Sequence, residues 1–152
     1  MELPLVGIKL YTWAMNYDEV QLEKLCRDAE YSLINTNHEL YRSITYVEKH
    51  LELPGFKVLP FMAYGLLQMA ADDQGLTLPE VYEIDVMQAL GELPGAMEEE
   101  LMEVIEGFKK KNRQLALFVY NKIENLPDGY FYHTFRATLM MYNALEIAAK
   151  RN

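Results

Sequence analysis

The stretch DEVQLEKLCRDAEYSLINTNHELYRSITYVEKHL, residues 18–51, decides the fold. Leu22, Cys26, Ala29 and Leu33 follow one another at spacings of four, three and four. Leu40, Ile44, Val47 and Leu51 resume the stripe beyond a polar Asn35-Thr36-Asn37 insert. Residues so spaced share one face of a helix with 3.6 residues per turn. Because the stripe keeps its register across the insert, one continuous or gently kinked helix is expected over 18–51. The alternative, two helices meeting near residue 36, rests on Thr36 and Glu39 as a cap pair. Asn16 with Glu19 has the form of a capping box and sets the helix start near Asp18.

Working outward, Leu5 to Trp13 is too densely apolar to separate a period of 2 from one of 3.6, and is read as a short helix with a strand as the alternative. Downstream, Pro60 suits the first turn of a helix through Phe61, Tyr64, Leu67, Met69 and Ala70 that ends at Gly75. Thr77, Pro79 and Glu80 mark a further start, with Val81, Ile84, Met87 or Gln88, and Leu90 as its inner residues. Gly95 opens a second long helix, residues 96–124, with Met97, Leu101, Ile105, Phe108, Leu115 and Val119 as a stripe interrupted by Asn112. A last helix spans about 130–150. The prediction is an all-α fold: one domain over residues 1–152, a compact bundle of five to six helices, two of them long (18–51 and 96–124).

Glu52-Leu53-Pro54-Gly55 recurs as Glu92-Leu93-Pro94-Gly95, with Leu126-Pro127-Asp128-Gly129 as a looser copy. A period of 40 can indicate a helical solenoid. The flanking residues do not match, however, and a common helix-exit sequence explains the echo.

A chain of 152 residues, 51% hydrophobic and 24% charged, is large and apolar enough to close one core. Fourteen Lys and Arg against 23 Asp and Glu give a net charge of -9. That field repels phosphate backbones, so direct nucleic-acid binding is not expected; it would attract a basic partner or imitate a nucleic acid to a protein that binds one, while solubility alone is the commoner reason for an acidic surface. A lone Cys26 forms no internal disulfide and reads as a buried thiol on an apolar face. The first residues lack the basic flank and apolar stretch of a signal peptide, and no run approaches the ~18 apolar residues of a membrane span. A cytoplasmic location is expected.

Reactive constellations are scarce. His38, His50 and His133 are the only histidines. The first two, on one helix, stand roughly 18 Å apart, too far to share a metal. No Glu-x-x-His, His-Glu-x-x-His, Cys pair, Gly-rich phosphate loop or Gly-x-Ser-x-Gly elbow occurs. No catalytic residue, metal site or cofactor is therefore assigned, and the chain is expected not to be an enzyme. Glu99, Glu103 and Glu106 form an acidic strip on one helical face, which the lysines at 109, 110 and 111 can neutralise at spacings of three or four. Gly107-Phe108-Lys109-Lys110-Lys111 is too short a basic patch, too close to the glutamates, for membrane binding.

Eleven Tyr, six Phe, one Trp and nine Met are the unusual feature. Tyr gives large contact area at low entropic cost and Met adapts its shape, so both are enriched where proteins meet. Tyr11, Trp13 and Tyr17 near the start, and Tyr130, Tyr132 and Tyr142 near the end, are the candidate interaction surface. The leading expectation is a non-enzymatic protein-interaction module of the adaptor, inhibitor or immunity type, binding a partner protein or itself. The alternative is a helical bundle holding a small molecule or cofactor in a Tyr- and Met-lined pocket near His133. Gly75 to Leu90 also resembles the turn-helix segments of phage tail-assembly proteins, which implies an assembly factor. Those features equally suit a capped amphipathic helix, so no functional residue is carried over.

Overall fold

A computed structural model describes residues 1–51, 58–93, 98–124 and 131–151, with side chains for all of these except 47–51 and 98–101. Among the described residues there are eight helices and no strand. They are α1 (Ile8–Met15), α2 (Glu19–Thr36), α3 (His38–Leu51), α4 (Val58–Asp73), α5 (Glu83–Glu92), α6 (Glu98–Lys111), α7 (Arg113–Glu124) and α8 (Phe131–Arg151). The class is all-α as expected, and the helix count exceeds the predicted five to six. Residues 8–15 are helical, which settles the ambiguous first segment. The expected start at Gly95, and the Glu52–Gly55, Pro94–Gly95 and Leu126–Gly129 segments, lie outside the described residues.

The extra helices arise because both predicted long helices divide at a buried asparagine. Asn37 separates α2 from α3, and Asn112 separates α6 from α7. Backbone bonds run on through each junction: Asn37 N–H donates to Leu33 O, and Tyr41 N–H donates to Asn37 O. Each side chain reaches sideways instead. Asn37 Nδ2 donates to Pro79 O at 3.0 Å while Oδ1 accepts from Val81 N at 3.0 Å. Asn112 Nδ2 donates to Pro4 O at 3.0 Å and Oδ1 accepts from Val6 N at 3.1 Å. A carboxamide carries one donor and one acceptor in the geometry of a peptide, so it pairs with an extended segment as a neighbouring strand would. The hydrophobic stripe kept its register across both sites, and so the bend was invisible in the periodicity.

The same bonds correct the predicted helix start at Thr77. Asn37 takes up Pro79 and Val81, residues 76–82 stay outside any helix, and α5 begins at Glu83. There Asp85 accepts from Tyr82 N at 2.8 Å and caps the helix. The first capping box is likewise Asp18 with Gln21, each side chain bonding the other's backbone, rather than Asn16 with Glu19. The Asn16 amide donates back to Thr12 O.

Helices α4 and α8 form the centre. α4 packs on α2, α7 and α8, and α8 packs on α3, α4, α5 and α7. Buried side chains from all eight helices join one hydrophobic cluster, which includes Leu33, Phe61, Leu115, Phe118 and Met140. Gly65 lets α4 approach α2, because a Cβ there would sit 2.8 Å from Leu25 Cδ1. Gly75, at φ 69°, reverses the chain after α4 and lets Leu76 N–H reach Ala71 O at 2.8 Å. Among the described residues no buried side-chain polar atom lacks a partner.

Candidate functional site

Helix α5 is apolar on two sides. Asp85, Val86 and Ala89 point inward, where the helix packs on α8 and α3. Arg151, in the last turn of α8, pairs with the Asp85 carboxylate, donates to Glu80 O at 3.3 Å and lies 4.4 Å over the Tyr82 ring. These contacts fix the rotation of α5 about its own axis. The outcome corrects the sequence reading, which placed Ile84, Met87 and Leu90 inside.

All three side chains face outward. Ile84 is 68% and Met87 65% exposed, and Leu90 and Tyr82 are exposed beside them. Across the helix boundary Tyr46 of α3 is 62% exposed. Between α3 and α5 runs a groove of about 360 Å³ with Val86, Met87, Leu90 and Met140 along it and Glu39, Arg42 and Glu83 on its rim. Arg42 pairs with Glu39 at 3.5 Å. A helix that is apolar on its solvent face as well as its core face has surface left over for a partner.

The expected surface is divided by the structure. Trp13 is exposed and meets Tyr17 edge to face, ring centroids 4.0 Å apart. The two line a hollow of about 370 Å³ with Lys24, Asp28 and Gln68. Partial burial raises the Tyr17 pKa from its ordinary value. Tyr11 is half-buried on α1, which packs against α7. Tyr142 is 2% exposed, with its hydroxyl 3.4 Å from Asn112 Nδ2, and is therefore a core residue rather than a surface one. Tyr132 is half-buried against the His133 ring, roughly 15 Å along α8 from Tyr142. The N-terminal segment meets α8 near Tyr142, Glu146 and Lys150, at the end remote from Tyr132. Tyr130 lies outside the described residues.

Of the acidic strip, Glu103 and Glu106 are exposed and Glu106 pairs with Lys109 at 3.3 Å, while the Glu99 side chain lies outside the described residues. Lys111 reaches across to Glu146 of α8 at 2.9 Å. Cys26 is half-buried rather than buried and borders a hollow of about 640 Å³ with Leu22, Val58 and Met62. Among the described residues no three His, Cys, Asp or Glu side chains converge as metal ligands. No described helix is long and apolar enough to cross a membrane. No model of a known family, no curated protein and no solved structure matches the chain.

Proposed function

We propose that the chain is a non-enzymatic protein-interaction module that docks a partner protein, or a second copy of itself, on the outer face of α5 and the adjoining α3–α5 groove. The observation that carries this reading is the row Ile84, Met87 and Leu90, with Tyr46 beside it, standing in solvent on a helix whose inner face is already packed. The clamp from Arg151 supports it, since a rigid, pre-formed helix face docks without an ordering cost. The net charge of -9 favours a basic partner, and on the rim Glu83 adds to it while Arg42 offsets Glu39. His133 lines neither the α3–α5 groove nor the hollows at Trp13 and at Cys26, which gives the pocket reading less support.

A photo-crosslinking residue at Met87, compared with one at exposed Thr77, tests the proposal in the native host. Adducts at position 87 that vanish in an Ile84→Ser/Leu90→Ser background are expected. Equal labelling at both positions, with a sedimentation mass of one chain, would sink the reading.

A further inference from the structure

The two asparagine junctions lie 75 residues apart, and so do the segments they grip: Leu3-Pro4-Leu5-Val6 and Leu78-Pro79-Glu80-Val81. The spacing extends to whole elements. α1 and α5 begin at residues 8 and 83, α2 and α6 end at 36 and 111, and α3 and α7 begin at 38 and 113. Burial follows the same offset: Val6 and Val81, Ala14 and Ala89, Leu33 and Phe108, Leu40 and Leu115, Ile44 and Val119 are all core residues. In α4 and α8 the offset is 74, where Phe61, Ala63 and Ala70 recur as Phe135, Ala137 and Ala144, every one buried. No general rule of helix packing produces this agreement in break and burial together.

The contacts also exchange. Asn112 in the second half grips the first half's strap, and Asn37 in the first half grips the second half's strap. α1 packs on α7 as α5 packs on α3, each across the boundary, and α4 meets α8 between them, whereas among the described residues the close packing of α2 on α4 and of α5 on α8 is not matched by α6 on α8 or α1 on α4. That is the arrangement of a strap-exchanged dimer whose two members share one chain.

The counterpart of the α3–α5 groove therefore lies between α7 and α1. Where the open groove has Ser43 and Val86, the counterpart positions hold Phe118, fully buried, and Tyr11, half-buried against the core. Aromatic rings of the protein itself occupy one groove, and small side chains leave the other open.

We infer that the chain is two copies of one 75-residue unit, each holding the other's strap, and that the open α3–α5 groove receives a partner protein's aromatic side chain where Phe118 and Tyr11 fill its counterpart. On the rim Arg42 offsets Glu39, so the charge of Glu83 selects basic neighbours for that aromatic. The second clause rests on the interaction reading above; the first does not.

The full chain carrying Ser43→Phe and Val86→Tyr grafts the filled groove onto the open one. If the positions are equivalent, its Tm stays within about 5 °C of the parent; at non-equivalent positions two added rings overpack the site and Tm falls further, which overturns the duplication. A permuted full chain beginning at Leu76, with Asn152 joined to Met1 by a Gly-Ser linker, checks the same point without touching the core. Two equivalent units exchange straps in either order, so it folds with a helical spectrum like the parent's, and an unfolded permutant counts against them. The docking clause is read by methyl NMR of Met87 and Met140 during titration with the tripeptide Lys-Phe-Lys. Saturable shifts are expected in the parent, lost in the grafted variant and at least about threefold weaker with Glu-Phe-Glu. An intact graft with no saturable shift in the parent overturns the docking clause alone.

Discussion

The guanidinium of Arg151 pairs with the carboxylate of Asp85 and covers the ring of Tyr82, so the end of the chain fixes the first turn of α5. Asp85 is buried and also caps Tyr82 N. Arg151→Ala leaves that carboxylate without its cation, and Arg151 is itself partly exposed, so the expected loss is about 1–3 kcal/mol rather than that of a fully buried pair. Hydrogen exchange resolves where the loss falls: faster exchange confined to residues 83–92 is expected, and unchanged exchange there would show that α5 is held by packing alone.

Asn37 and Asn112 each satisfy one carbonyl and one amide of an extended segment. Truncation to Ala strands both backbone groups at a buried site, so Asn37→Ala and Asn112→Ala are each expected to cost about 2–4 kcal/mol in urea unfolding. Asp at either position cannot donate to the proline carbonyl and should be no better than Ala. A loss below about 0.5 kcal/mol would mean that water replaces the amide.

How much of this was legible follows from what periodicity can and cannot carry. The stripe gave the helical class, and its members Ala29, Leu33, Leu40 and Ile44 are buried with Leu22 and Cys26 half-buried at its edge, because burial of every third or fourth residue is a local signal; the Val47 and Leu51 side chains lie outside the described residues. The alternative of two helices meeting near residue 36 is the one the structure has, but the stripe could not choose it, since the break preserves register and its cause, the backbone of Pro79 and Val81, is 42 and 44 residues away. The interaction face failed for a related reason. Ile84, Met87 and Leu90 have core-like spacing, and the packing of Val86 and Ala89 on α8 and α3, together with the Arg151–Asp85 pair contributed 66 residues downstream, turns them outward. Tyr142 shows the converse, a tyrosine read as surface whose hydroxyl is satisfied internally by Asn112. Trp13 and Tyr17, named with Tyr11 as candidate surface residues, meet edge to face on a helix and its exit, a contact that the sequence reading did not specify.

Alkaline pH should find the buried tyrosines. Burial pushes the Tyr142 pKa up to about 12, with the Glu146 charge adding to the rise and the hydrogen bond from Asn112 opposing it. Burial likewise raises Tyr64, against hydrogen bonds that include Asn37. A folded pKa above the unfolded value of 10.0 means that the native state holds the proton more tightly. The associated stability is complete below pH 10 and is lost as pH rises toward 12. For Tyr142 this amounts to about 3 kcal/mol. Tyrosinate absorbance and circular dichroism followed together should show late ionisation coinciding with unfolding, and Tyr142→Phe should move that unfolding to higher pH. Ionisation of every tyrosine near its ordinary value, with the fold intact, would contradict the burial of both.

Gly65 gives the last test, because two effects of known sign oppose each other there. In a helix interior Ala is favoured over Gly by about 1 kcal/mol, so Gly65→Ala should stabilise α4 if nothing stands near it. The added methyl, however, lies 2.8 Å from Leu25 Cδ1, 3.3 Å from Leu25 Cγ and 3.4 Å from Ala29 Cβ. Leu25 is buried and α2 packs closely on α4, so relief requires a new rotamer or a wider helix separation, at about 1–3 kcal/mol. The packing effect wins, and Gly65→Ala is expected to be neutral to about 2 kcal/mol destabilising. Leu25→Ala alone opens a cavity, whereas the double variant lets the new methyl occupy part of it. The two substitutions should therefore be less damaging together than the sum of each alone, and strict additivity in a double-mutant cycle would mean that the helices do not meet at this glycine.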